Sequence, residues 1–365
     1  MKPISIEALE AIISAAAASG SKLELRGGGS KVEVGAPRQA EIIDMTGFAG
    51  ILDYDPAELV LTAGAGTPLA EIQAAVAERD QMLAFEPFDH GPMFGGPEGA
   101  ATIGGVLAAA VSGSRRLSRG PARDHLLGFR AVSGRGESFV GGGKVVKNVT
   151  GYDLSKVVTG SWGRLAALVE VTLKVLPRPQ AVLSFAAPGL EPGAAVALMS
   201  QAMGSQAEVA AAAHAPGVTG IRLEGFGPSV EARSRLVQAM APAARVLAED
   251  EADGFWAGLR QPLPGAEVLW RISVPASRAP GVIQALGGDW LMDWAGGLIW
   301  SSCEDAVAVR QAAEAAGGHA MLIRATEAMR AQVPALHPPA PGVAALEERV
   351  RRAFDPAGVF ETGRF

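Results

Sequence analysis

Apolar and polar positions divide this chain into short alternating runs and a few helical stretches. The opening segment "IEALEAIISAAAASG" (6–20) has helical spacing and predicts an amphipathic first helix. Five brief β-like runs follow, "KLELR", "VEVG", "EIIDM", "ILDYD" and "LVLTAGAG", each separated from the next by turn residues. Leu69, Ile72 and Val76 then share one face of "LAEIQAAVAERDQ", with Thr67 expected as N-cap and Pro68 at the first helical position. "MLAFEP" is expected to return as a strand. After "LPRPQ" (176–180) the composition shifts to alanine-rich helices, such as "VEARSRLVQAMAPAA" and "CEDAVAVRQAAEAAG". Between them lie the expected strands "GIRLEGF", "EVLWRISVP", "WLMDWAGGLIWSS" and "HAMLIRA". The pattern predicts an α+β protein whose second part is an antiparallel sheet covered on one face, a ferredoxin-like cap over 179–335.

Composition narrows the function classes. A chain of 365 residues, 48% hydrophobic, has room for two cores. A net charge of −6 and a pI near 5.5 argue against a nucleic-acid surface. The one basic cluster, "SRRLSRGPAR" (114–123), reads as a solvated loop. Cys303 is the single cysteine, so its own thiols build neither a disulfide framework nor an iron–sulfur cluster, and a reducing, cytoplasmic setting is expected. Glu7 and Glu10 break any signal-like apolar region, and no apolar run reaches membrane-spanning length. A place at the inner face of a membrane, reached through partners, stays compatible with this. The five histidines are scattered, and no metal site is expected.

Glycines carry the candidate chemistry. "LELRGGGSKVEVG" (23–35) sets three glycines between β-like runs, which suits either a hairpin turn or a cradle of backbone N–H groups around an anion. "GAGTPL" (64–69) lacks the third glycine of a dinucleotide-binding Rossmann turn, which makes that fold improbable. A second glycine-rich region runs from 95 to 179, and "ATIGGVLAAAVSG" within it joins a glycine turn to a helix of small residues. Two such loops suit a diphosphate held from both sides.

Six motifs in order, "RGGGSK", "EGAATIGG", "RDHLLG", "KNVTGYDL", "GSWGRL" and "FDPAGVFETGRF", resemble the FAD-linked oxidase family with a flavin domain of the vanillyl-alcohol-oxidase or p-cresol-methylhydroxylase type. Within that family, "VVKNVTGYDLSKVVTGS" and "GGHAMLIRA" are most similar to FAD-binding subunits of bacterial glycolate oxidases. The resemblance implies a two-part FAD-binding domain (1–178), the cap (179–335), and a C-terminal tail (336–365) that returns to the flavin domain. It implies FAD contacts at Arg26, Gly27, Gly28, Gly29, Ser30, Lys31, Pro87, Thr102, Gly104, Gly105, Ser112, Asp124, Asn148, Gly151, Tyr152 and Asp153. Many relatives carry a flavin-linked histidine where this chain has Ser30, so the flavin is expected to be noncovalent unless another residue such as His90 supplies the link. "GRLA" (163–166) and "FETGR" (360–364) depart from the family's G-T-L-G and NPGR, at the adenine end and the last contact.

For catalysis, a 2-hydroxy acid needs a cation for its carboxylate and a base for its hydroxyl proton. Arg222, Arg271 and Arg324 are the weak candidates for the first, and His319 for the second. The metal-binding histidine cluster of related D-2-hydroxy-acid dehydrogenases is missing. Three functions therefore stay open: a subunit working with a sister flavin subunit and an iron–sulfur subunit, a self-sufficient dehydrogenase, and a scaffold without FAD.

Overall fold

A computed structural model describes residues 1–143 and 152–365. The first helix, Ile6–Ser19, starts where Ser5 Oγ accepts the Ala8 N–H and stops at Gly20, whose φ of +76° suits glycine. It buries Leu9, Ile13 and Ala16. The parallel strands β1 (Leu23–Arg26) and β2 (Glu41–Asp44) follow. β3 (Ile51–Asp55), β4 (Val60–Gly64), β6 (Leu126–Ser133), β7 (Ser138–Gly142) and β8 (Ala166–Lys174) form an antiparallel sheet in the order β3-β4-β8-β6-β7. The short β5 (Gln81–Met82) pairs with β9 (Leu176–Pro177).

Both faces of the sheet's inner strands β4, β8 and β6 are buried, because they alternate apolar residues to either side. Leu61, Val171 and Leu173 pack with Ile72, Phe85, Ile103 and Leu107 on one face. On the other, Val132, Ala167 and Val169 pack with Leu9, Ile13, Leu23 and Ile43, and with Val359 and Phe360 from the far end of the chain. The tail enters through helix Pro341–Phe354 and a turn closed by buried Asp355, whose carboxylate accepts the N–H groups of Val359 and Phe360 at 2.8 Å each. The Leu23 N–H then donates to Val359 O at 2.9 Å.

The second sheet holds eight strands: β10 (Ala181–Pro188), β11 (Ala211–Ala215), β12 (Val218–Gly225), β13 (Arg245–Val246), β14 (Leu269–Ser273), β15 (Trp290–Asp293), β16 (Leu298–Ser301) and β17 (His319–Arg324). Their order, β13-β10-β12-β11-β15-β16-β14-β17, resolves into two ferredoxin-like βαββαβ units joined edge to edge at His214 and Met292. The strand and helix pattern predicts one such unit; the chain carries it twice. Helices 192–203, 227–240, 279–286 and 306–315 cover one face around Phe185, Ile221, Trp270 and Ile299. On the opposite face, helix Glu249–Gly258 covers the first unit through Trp256. There the second unit instead meets the first domain, setting Leu269, Trp300 and Met321 against Val34, Met93 and Trp162.

Four local expectations change. "VEVG" forms turns rather than a strand, and "MLAFEP" leaves the sheet after Met82. "WLMDWAGGLIWSS" is a hairpin of two strands. Pro68, not Thr67, caps helix Leu69–Ala77; the Thr67 hydroxyl is drawn into the preceding turn, donating to Gly64 O at 2.6 Å.

Candidate functional site

Beyond β1 the chain runs bare-backboned against the second glycine loop. A Cβ on Gly28 would stand 1.4 Å from Ala100 O, and one on Gly27 2.2 Å from Thr102 Oγ1. Thr102 caps helix Ile103–Ala108, accepting the Gly105 N–H at 3.4 Å, and a Cβ on Gly104 would meet Ala65 O at 2.8 Å. The two loops frame a cleft whose lining includes Arg26, Gly27, Ser30, Lys31 and Thr102. Leu25, Gly27 and Thr102 also line an adjoining chamber with a more apolar wall, Met45, Ala65 and Leu168.

The cleft is cationic. Burial pushes the Lys31 ammonium down to about 8, and burial with neighbouring Arg38 pushes Arg364 down to about 9. Arg26 Nε is buried with no partner. The one acid on the wall, Glu24, is already engaged by Arg38 (Nε to Oε2, 3.0 Å) and by Arg26 Nη2 (3.2 Å). Glycine loops that admit no Cβ, together with an orphaned guanidinium nitrogen, are what a diphosphate needs.

The tail completes the wall. Arg364 Nε donates to Val34 O at 2.8 Å and its Nη2 to Lys31 O, while Arg364 O accepts the Ala36 N–H at 3.0 Å. Its guanidinium lies 5.5 Å from the Trp162 ring centroid, and Trp162 takes a φ of +56°. Arg364 and Trp162 are site residues not expected from the sequence, although both lie within its motifs "FDPAGVFETGRF" and "GSWGRL".

Arg26, Gly27, Gly28, Gly29, Ser30, Lys31, Thr102 and Gly105 thus come together, with Gly104 in the adjoining chamber. Other expected contacts are placed elsewhere. Pro87 borders a separate crevice with Asp89 and Arg260, its carbonyl accepting from Gln73. Ser112 Oγ accepts the Ala122 N–H at 3.0 Å and so fixes a turn. Asp124 is exposed, 3.8 Å from Arg123; Tyr152 is 91% exposed; Asp153 is paired with Lys156. Asn148 and Gly151 lie outside the described residues.

The catalytic candidates separate as well. Arg222 is buried, 2.9 Å from Glu86 and 3.0 Å from Glu224, with its guanidinium 4.5 Å from the Trp256 ring. Arg115 joins the same acids at 3.2 and 2.8 Å, and Arg260 approaches Glu86 at 3.7 Å. Burial pushes the Glu86 carboxyl up, but Arg222 and Arg115 outweigh it and hold it below its ordinary value. This network ties β12 to the first domain. Arg324 is a strap, donating to Leu263 O at 3.1 Å and to Met93 O. Arg271 lies 5.1 Å from the Trp294 ring centroid. His319 is held below its usual range by burial and by Arg271. Buried His90 stacks 4.8 Å over Phe88, with Nδ1 unpartnered and its pKa pushed well down by burial and by Lys31.

Asp293 also sits at the seam, accepting from Ser114 Oγ and the Trp294 N–H at 2.7 Å each; burial nonetheless raises its carboxyl to about 6. A raised acid pKa means that the folded state holds a proton the unfolded state has lost. This group's contribution therefore falls as pH rises from about 4 to about 6. Asp293→Asn should remove that slope, gaining about 2–3 kcal/mol relative to the parent above pH 6. Urea unfolding across this range measures it, and parallel pH profiles would refute the assignment.

Residues 1–141 match the FAD binding domain family. The glycolate oxidase subunit GlcE of Escherichia coli is 36% identical across 98% of this chain and 96% of that protein. The D-lactate dehydrogenase of Archaeoglobus fulgidus is 32% identical over 52% of this chain and 42% of its own length. The glycolate oxidase subunit GlcD of Bacillus subtilis is 32% identical over 36% and 26%. Among solved structures, an alkyldihydroxyacetonephosphate synthase superposes with a TM-score of 0.70 at 18% identity, covering 98% of this chain and 76% of that one, a likeness of fold. With its paired glycine loops and a full-length relative at this identity, the chain belongs to the FAD-linked oxidase family, in the group of the glycolate oxidase subunit GlcE.

Proposed function

We propose that this chain is the FAD-binding subunit of a complex that oxidises glycolate to glyoxylate. The carrying observation is the cationic cleft between two glycine loops, in a chain similar over its whole length to a glycolate oxidase subunit. The flavin domain would comprise 1–178 and 336–365, with 179–335 as its cap.

Gly27 to Lys31 and Thr102 to Gly105 would hold the FAD pyrophosphate. Arg26, Lys31 and Arg364 would supply its counter-charge, and Trp162 one wall. FAD supplies an acceptor for the two electrons leaving the hydroxy-acid carbon. Ser30 has no imidazole to bond a flavin ring, which supports noncovalent attachment. A chain with only Cys303 needs a partner to carry clusters, so electrons would pass to an iron–sulfur subunit, beside a sister flavin subunit. Among the described residues no helix is long and apolar enough to cross a membrane, so any membrane position would come through those partners.

Acid precipitation of the purified chain tests this reading. Free FAD should enter the supernatant, and the tagged chain should bring down two further subunits from its native cell. Colourless protein would overturn the cofactor assignment, and flavin fixed in the pellet its noncovalent attachment.

A further inference from the structure

At the seam, guanidinium groups are matched to acids or carbonyls with two exceptions. Arg115 and Arg222 share Glu86 and Glu224, Arg260 approaches Glu86, and Arg324 is spent on Met93 and Leu263 carbonyls. Arg116, from the first domain, and Arg271, from β14, have no such partner among the described residues. Their guanidinium carbons lie 4.5 and 5.1 Å from the centroid of the same ring, Trp294. An indole face attracts a cation but carries no charge to neutralise two.

The ring is held firmly. Trp294 Nε1 donates to Gly113 O at 3.0 Å and its N–H to Asp293, on a backbone with φ of +53° at Trp294 and +54° at Ala295. Left-handed conformations at two consecutive residues with side chains persist only where the surroundings impose them. Both arginines are partly exposed, so an anion can reach them. Asp293 is committed to Ser114 and to the Trp294 N–H, and Asp124, nearest in charge to Arg116, stays at the surface. His319 shares the sheet face: it pairs with Ser273, two residues along from Arg271, which pairs with Met321.

We infer that Arg116 and Arg271 form a two-guanidinium clamp across the domain seam that takes the carboxylate of a small 2-hydroxy or 2-oxo acid. This chain then holds a substrate-binding site of its own. The class of acid rests on the function proposed above; the clamp rests on the two unmatched guanidiniums. His319 stands at its edge, held below its ordinary value by burial and by the same cations, Arg271 and Arg116.

Oxalate, a two-carbon carboxylate that cannot be oxidised as an alcohol, is the probe, titrated into the full chain and followed by calorimetry and tryptophan fluorescence. Arg116→Gln and Arg271→Gln should each weaken binding at least about tenfold, and Arg116→Lys should recover part of it. Extracted flavin is measured on every sample and should not change, so loss of the cofactor and loss of the clamp read separately. Should Arg271→Gln fail to fold, Arg116→Gln on its partly exposed turn carries the test alone. No oxalate binding by the parent, equal binding by folded Arg116→Gln, or displacement by equimolar chloride would overturn the proposal.

Discussion

Gly28→Ala should yield a folded but colourless protein that loses most of its flavin on gel filtration. The added methyl would stand 1.4 Å from Ala100 O and 2.5 Å from its carbonyl carbon, both backbone atoms that no rotamer change can clear. The two glycine loops must part, carrying Thr102 and its cap on Gly105 away from Gly27. Overpacking of this kind costs about 1–3 kcal/mol in stability, and the loop separation falls where the pyrophosphate would lie. Gly29→Ala is the informative control. Space around Gly29 is open, with Val32 at 3.8 Å, but its φ of +77° strains any side chain, so a modest loss of about 1 kcal/mol is expected with flavin retained. Equal flavin content in Gly28→Ala and the parent would show that the loops do not meet around the cofactor.

Arg222→Met should be the most destabilising single change at the seam, by about 3–5 kcal/mol in urea unfolding, because it strands buried charge rather than merely removing a contact. Glu224 has a fully buried side chain, Glu86 is nearly as enclosed, and Arg115 alone would be left close to both. The pH dependence has a definite sign. The folded Glu86 carboxyl sits below its ordinary value, so its stabilisation is present above the unfolded pKa and disappears as pH falls through the folded one. The variant should therefore differ least from the parent in acid. A gap that widened toward low pH would contradict the network.

Much of this architecture can be read from residue patterns where local chemistry is strong. The three glycines alone suit a hairpin turn as well as a cradle, and become legible only with the second glycine-rich stretch and the ordered motifs around them; "EVLWRISVP" and "HAMLIRA" are legible through their β-branched and aromatic content. The doubled cap is not. β11 is "AAAHA", whose alanines favour helix in isolation and become strand only by pairing with β12. The hairpin within "WLMDWAGGLIWSS" hides because its reversal begins at Trp294 and Ala295, residues that rarely adopt positive φ. Site residues divide in the same way. Backbone cradles announce themselves through glycine, whereas Arg116, Arg222 and Arg271 are all plain arginines until their partners are known. One proves to be locked among acids, and two, among the described residues, to meet an indole ring and no acid or carbonyl within hydrogen-bond reach.

The clasp of Arg364 on the Lys31 to Ala36 loop also orders events in time. That hydrogen bond to Val34 spans 330 positions, so during synthesis the glycine cradle emerges early and waits for almost all of the remaining chain before its last cation arrives. The first domain can collapse around Leu9 and Ile13 beforehand, but Val359 and Phe360, which finish that core, come equally late. If that cradle holds the flavin as proposed, cofactor loading would be a late step in maturation, and a nascent chain stalled within the cap would carry an unfinished cradle.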